Sequence, residues 1–129
     1  MEEEHMKKEI CSLNAPGAIG PYSQGVEANK TVYCSGQLPI NPITGEIGKD
    51  IAEMTTLSLK NLKGILAEQG MTMDNVVKTT VFMTDLGQFG AMNQVYETFF
   101  KEPYPARSAV QVAALPKGAA IEIECVAVK

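Results

Sequence analysis

The sequence predicts an α+β fold in which two helices lie on one face of a mixed β-sheet. Three observations carry this. Two segments, Ala52 to Gln69 and Leu86 to Phe99, place apolar residues at helical spacing. Shorter segments before, between and after them alternate or are rich in β-branched residues, as strands are. Between all of these stand clusters of Pro, Gly and Asn that interrupt regular structure. The order along the chain reads β-β-β-α-β-α-β-β, and each strand-helix-strand crossover should be right-handed.

Lys7 to Ser12 reads as a short first strand. NAPGAIGPYSQG follows, where Pro16, Gly17, Gly20 and Pro21 mark a long loop, and ordered loops of this length tend to be functional. Gly25 to Ala28 and Thr31 to Gln37 form a hairpin around Asn29-Lys30, with Val32 and Cys34 on one face and Thr31, Tyr33 and Ser35 on the other. NPITGEIG is a turn. The first helix carries Leu59, Leu62, Ile65 and Leu66 on one stripe and stops at Gly70. Val76 to Thr84 is a strand. Asp85 stands at the N-cap of the second helix, whose apolar members are Leu86, Phe89, Met92, Val95, Tyr96 and Phe99, and Pro103 and Pro105 end it. Ala106 to Ala113 and Ala120 to Val128, joined through LPKG, are the last strands.

The 129 residues suit one domain over residues 7–129 behind a flexible tail over residues 1–6, of which Met1 to His5 are left out of the reading. A net charge of -4 and no lysine cluster beyond Lys7-Lys8 argue against nucleic acid as a partner. Cys11, Cys34 and Cys125 are odd in number and far apart, which suits neither a disulfide framework nor a zinc site and fits a reducing cytoplasm. No apolar run approaches a membrane span. Neither a metal nor a nucleotide cofactor is expected.

Alternation in the last strand puts Ile121, Ile123, Cys125 and Ala127 on the helix-covered side and Glu122, Glu124, Val126 and Val128 on the other. In the preceding strand Ser108, Val110 and Val112 share one face, and Arg107, Ala109, Gln111 and Ala113 the opposite one. The uncovered sheet face is therefore expected to mix valine and alanine with Arg107, Glu122 and Glu124. Such a face is too apolar for solvent and too polar for a core, so copies of the same chain should close it as a ring. Arg107 is the only arginine, and its planar fork suits one carboxylate. A glutamate nearby is a candidate general base or acid.

Plainer roles compete for the same residues. Arg107 could be an ion-pair partner of Glu122 or Glu124, and both glutamates could simply make interfacial hydrogen bonds. Tyr22 and Ser35 are ordinary turn and packing types, and Asn93 could be a buried donor. Cys34 reads as a small buried hydrophobe, with no histidine to activate it; the one histidine, His5, lies in the tail.

NAPGAIGPYSQG, YCSGQLPINPITGEIG, VVKTTVFMTDLGQF with NQVYETFF, and YPARSAVQVAALPKGAAIEIECVAV together resemble the reactive-intermediate deaminase A (YjgF-like) family, from about Ile10 to Lys129. The pairing of P-A-R-S with I-E-I-E is the most specific part. The resemblance implies a chorismate-mutase-like α+β fold, a homotrimeric barrel and sites in the clefts between subunits. It implies hydrolysis of enamine and imine intermediates, such as 2-aminoacrylate and 2-iminopropanoate, to a 2-keto acid and ammonia. By the same resemblance Arg107 grips the substrate carboxylate and Glu122 activates water and helps protonate ammonia. Tyr22, Ser35, Gly36 and Asn93 line the cleft. Ala109 stands where many relatives have cysteine and contributes backbone contacts, so catalysis should survive and thiol-based regulation be absent.

Other activities remain open at this level. Some members are described as endoribonucleases or translation inhibitors, against which the acidic balance and the lack of a placed histidine stand. A non-catalytic binder of small keto or amino acids would use the same cleft. Chorismate mutase, by fold alone, is poorly served by a single arginine.

Overall fold

The structure is a computed structural model that describes residues 6–129; the rest of the expected tail, Met1 to His5, lies outside the described residues. Six strands form one sheet: β1 (Lys8–Ile10), β2 (Gly25–Ala28), β3 (Thr31–Gln37), β4 (Val76–Met83), β5 (Ala106–Gln111) and β6 (Ile121–Val128). Their spatial order is β1-β2-β3-β6-β4-β5. Neighbours are antiparallel except β4 and β5, which the helix between them makes parallel, as a strand-helix-strand unit requires. The C-terminal strand thus occupies the middle of the sheet.

Helices α1 (Ile51–Ala67) and α2 (Phe89–Tyr96) cover one face, as expected. Asp50 caps α1 by accepting the Glu53 N–H at 2.8 Å, while the Glu53 carboxylate takes the Lys49 N–H at 2.6 Å. Leu59, Leu62, Ile65 and Leu66 are fully buried against Val32, Val81, Ile121 and Ile123 in a single core. Burying side chains of this size contributes roughly 1.5–3 kcal/mol each. The chain leaves α1 through Gly70 at φ 68°, a left-handed turn that glycine adopts without strain. The β2–β3 hairpin turns on Asn29 at φ 53° and Lys30 at φ 64°, the paired left-handed geometry that matches strand twist.

Two expectations need correction in detail. The first strand ends at Ile10 rather than Ser12, because the Ser12 N–H is taken by the Gln24 side chain at 2.6 Å and no longer joins the ladder. The second helix is not continuous from Leu86 to Phe99. Asp85 bonds the Gly87 N–H at 2.8 Å and so closes a 3-10 turn over Leu86–Gln88, and α2 proper spans Phe89–Tyr96 before a second 3-10 turn over Glu97–Phe99.

A third correction concerns the faces. Cross-strand register sets Arg107 beside Thr79, and Thr79 beside Cys125, so all three point toward the helices. Ala109 and Gln111 follow Arg107 there, through Val81 and Met83. Glu122 and Glu124 pair with Phe82 and Thr80 on the opposite side. Arg107 therefore does not share the uncovered face with the glutamates, and an ion pair with either within one chain is excluded. Alternation sorts a strand's residues into two sets; only the register, set here by the crossover, decides which set meets the helices.

The uncovered face carries Val26, Tyr33, Val126, Phe82 and Val110 around the two glutamates. Tyr33 is 52% and Val110 43% exposed, so the chain itself leaves this face open. No helix of the described residues is long and apolar enough to cross a membrane.

Candidate active site in two halves

The first half is a cleft of about 730 Å³ lined by Tyr22, Ser35, Gly36 and Glu122, with Ile19 and Lys117 at its wall. Its walls are loops, and two buried amides brace them. Gln24, 2% exposed, accepts the Ser12 N–H and donates through Nε2 to the carbonyls of Ser12 at 3.1 Å, Ala15 at 3.3 Å and Pro16 at 2.7 Å. Asn61 on α1 donates to the carbonyls of Leu38 at 3.2 Å and Ile40 at 2.9 Å on the other wall. Together they satisfy backbone groups that the irregular loops leave unpaired. Gly20, at φ 124°, makes the sharp bend that turns the half-exposed Tyr22 outward.

Ser35 sits where β3 slips register against β6, between Cys34 and Gln37. Its hydroxyl donates to the Ser23 carbonyl at 2.6 Å and ties the strand end to the loop. Gly36 at this bulge leaves room for Glu122: a Cβ there would lie 2.8 Å from the carboxylate carbon. Glu122 is only partly buried, and among the described residues its carboxylate has no hydrogen-bond or ion-pair partner. Burial, with a smaller contribution from the negative charge of Glu124, raises its pKa above the ordinary glutamate range. A carboxylate of this kind can both take and return a proton.

The second half is a hollow of about 380 Å³ lined by Arg107, Asn93, Tyr96, Glu97 and Tyr104 at the edge of the sheet. Arg107 Nη1 donates to Asn93 Oδ1 at 2.7 Å. The guanidinium carbon lies 5.1 Å from the Phe89 ring centroid and 4.7 Å from that of Tyr96. The Tyr96 hydroxyl shares a 2.7 Å hydrogen bond with the fully buried Thr79 hydroxyl. Burial raises the phenol's pKa, opposed by that hydrogen bond and by the charge on Arg107, so Tyr96 stays neutral.

The residues singled out in the sequence therefore fall into two groups, Tyr22, Ser35, Gly36 and Glu122 in one and Arg107 and Asn93 in the other. Ala109 lines neither hollow and packs partly buried against the core. A smaller hollow of about 240 Å³ beside Met73 and Pro105 holds none of them. Sequence reasoning missed Gln24 and Asn61, whose importance comes from carbonyls met only after folding. It also missed Phe89 and Tyr96 as supports for Arg107; their spacing from Asn93 was the available signal, and it was read as core alone.

The family described as Endoribonuclease L-PSP matches residues 12–129. The 2-iminobutanoate/2-iminopropanoate deaminase of Escherichia coli K12 is 49% identical over 127 residues, covering 96% of this chain and 99% of that protein. Among solved structures, E. coli TdcF with bound serine superposes with TM-score 0.91 at 49% identity, covering 95% of this chain and 98% of that one. RidA from an Antarctic Psychrobacter does so with TM-score 0.91 at 43% identity, covering 95% and 99%. With a match of this extent in sequence and in fold, the chain belongs to the Endoribonuclease L-PSP family, in which these deaminases stand.

Proposed function

We propose that the protein hydrolyses small 2-imino carboxylic acids and their enamine tautomers to 2-keto acids and ammonia, in sites completed between copies of the chain. The observation that carries this reading is the division of the candidate site. The half with the guanidinium of Arg107 offers only the exposed Glu97 as a carboxylate, and the half with Glu122 offers only Lys117 at its wall as a cation, so neither half alone brings Arg107 and Glu122 together. The open sheet face with Tyr33, Val110 and Val126 supports assembly, because such apolar area is normally buried against a partner. A homotrimeric ring joins the Arg107 half of one copy to the Glu122 half of the next. The relatives named as imine deaminases, and TdcF crystallised with serine, a small molecule bearing a carboxylate, support the same substrate class.

In this mechanism Arg107 binds the carboxylate through two charge-assisted N–H bonds and fixes the molecule's direction. An enamine first takes a proton from solvent at its terminal carbon and becomes the protonated imine. Glu122 removes a proton from a water as its oxygen bonds to the imine carbon, giving a tetrahedral carbinolamine. The protonated Glu122 then gives that proton to nitrogen. As the carbon–nitrogen bond breaks and ammonia leaves, the hydroxyl oxygen becomes the keto oxygen and its proton passes back to the Glu122 carboxylate, which releases it to ammonia or solvent. Its raised pKa brings proton affinity closer to neutral pH, where such exchange is efficient. General acid-base catalysis supplies about 10²- to 10⁴-fold, enough for an electrophile that already hydrolyses in water. No cofactor enters any step.

The domain of residues 7–129 supplies all these groups, and reduced Cys11, Cys34 and Cys125 support a cytoplasmic setting. A net charge of -4 weighs against RNA cleavage. The test is keto-acid release from 2-aminoacrylate generated in situ by a serine dehydratase, for wild type, Arg107→Ala and Glu122→Gln. Acceleration by wild type that both variants lose supports the deaminase. Binding of keto acid without acceleration would replace it with a non-catalytic carboxylate binder. Sedimentation as a stable monomer would overturn the shared site.

A further inference from the structure

We propose that Phe89 and Tyr96 are positioning residues that hold the Arg107 guanidinium as a flat, preset fork for a carboxylate, with Tyr96 itself latched by Thr79. The proposal rests on reading Arg107 as the carboxylate anchor.

Phe89, Asn93 and Tyr96 are four and three residues apart and form one stripe of α2, directed at the edge strand β5. Arg107 is exposed, and an exposed arginine ordinarily samples many rotamers, an entropy that every binding event must then remove. Here three contacts from one helix limit that freedom. Asn93 takes one of the five guanidinium N–H donors, leaving four for a ligand that needs two. The two rings attract the cation without competing for any donor, so they restrain the guanidinium and leave its remaining N–H groups available.

The stripe is itself rigid. Tyr96 is 5% exposed, its hydroxyl is held by Thr79 from the adjacent strand, and its ring meets Phe100 at a centroid distance of 4.7 Å. Its burial keeps the phenol neutral, so it acts on Arg107 through the ring and not as a counter-ion. Lysine has no plane for such a stripe to hold, which gives a physical reason for an arginine in a chain whose other cations are lysines.

The test measures KM and kcat on 2-imino acids generated by an amino-acid oxidase, and Kd for 2-ketobutyrate, in Phe89→Leu, Tyr96→Phe and Tyr96→Leu, each with and without Arg107→Ala. Phe89→Leu and Tyr96→Leu should raise KM and Kd about 2- to 30-fold with kcat within about twofold. Tyr96→Phe, which keeps the ring, should show most of the wild-type affinity. In the Arg107→Ala background the Phe89→Leu change should leave the residual, weaker Kd for 2-ketobutyrate unaltered. Circular dichroism identifies any Tyr96→Leu misfolding, in which case Phe89→Leu decides alone. Unchanged KM and Kd in Phe89→Leu, or an effect undiminished without Arg107, would overturn the clamp and leave the anchor standing. Full-strength 2-ketobutyrate binding by Arg107→Ala alone would overturn the anchor, and the clamp with it.

Discussion

The two halves of the site are built on opposite plans. Arg107 projects from an edge strand, yet its guanidinium is held by a hydrogen bond and two aromatic rings of one short helix. Glu122 projects from the central strand of the sheet, yet its carboxylate has no partner among the described residues and is surrounded by loops. The permanent guanidinium charge is restrained, and the carboxylate proposed to exchange a proton is left unpaired. An ion-pair partner for Glu122 would lower its proton affinity and work against the proton transfer proposed for it. A restrained arginine loses nothing, because its charge is permanent and only its orientation matters.

That contrast is broken most severely at Glu122. Glu122→Gln should lower kcat by about 10²- to 10⁴-fold while 2-ketobutyrate binding, followed by titration, changes little. In wild type the acid limb of the rate profile should lie above the ordinary carboxylate range, since the base must be ionised and its pKa is raised.

Gly36→Ala comes next. The new Cβ would meet a carboxylate at the end of a flexible side chain, so Glu122 should swing away and the fold should survive. A rate loss of about tenfold or more with an unchanged melting temperature is the expected result, in line with the cost of misplacing a catalytic group. Equal losses of rate and stability would show that the bulge itself had given way.

Gln24→Ala probes the loops behind Glu122. It removes the side chain that satisfies buried groups of Ser12, Ala15 and Pro16, and leaving these unpaired costs about 1–3 kcal/mol each, partly recovered by entering water. Urea denaturation should show a loss of about 2–3 kcal/mol. Rate should fall while Arg107, in the other half, keeps its geometry.

The smallest effect is in stability against pH. A folded-state pKa raised above the unfolded value means that Glu122 favours the fold while protonated, and that this is lost as pH rises through the folded pKa. Glu122→Gln should therefore melt slightly higher than wild type at pH 7 to 8, and the difference should shrink below about pH 4, where both states carry a protonated glutamate. Differential scanning fluorimetry across that range measures it.

Much of the fold was legible in local pattern. The Asn29-Lys30 turn, the apolar stripe of α1 and the alternation from Ile121 to Val128 each report on neighbours a few residues apart, and each stands in the structure as read. The continuous second helix was misread because Asp85 reads equally well as the cap of an α-helix or of a 3-10 turn, and the bond to Gly87 chose the latter. Gln24 and Asn61 were illegible for a different reason. Their partners are backbone carbonyls of loops, and nothing in a side chain's identity names a carbonyl 21 or 23 residues away, as for Asn61.

By itself the sequence determined the element types, the alternating sets of residues on β3 and β6, and the chemical vocabulary of one guanidinium and two candidate glutamates. Those follow from periodicity and from side-chain chemistry, which are properties of short segments. Only the tertiary structure decided that Arg107 faces the helices while Glu122 faces away. That choice depends on the register of β5 against β4 and on β6 entering between β3 and β4, both set by long-range pairing that local alternation leaves free.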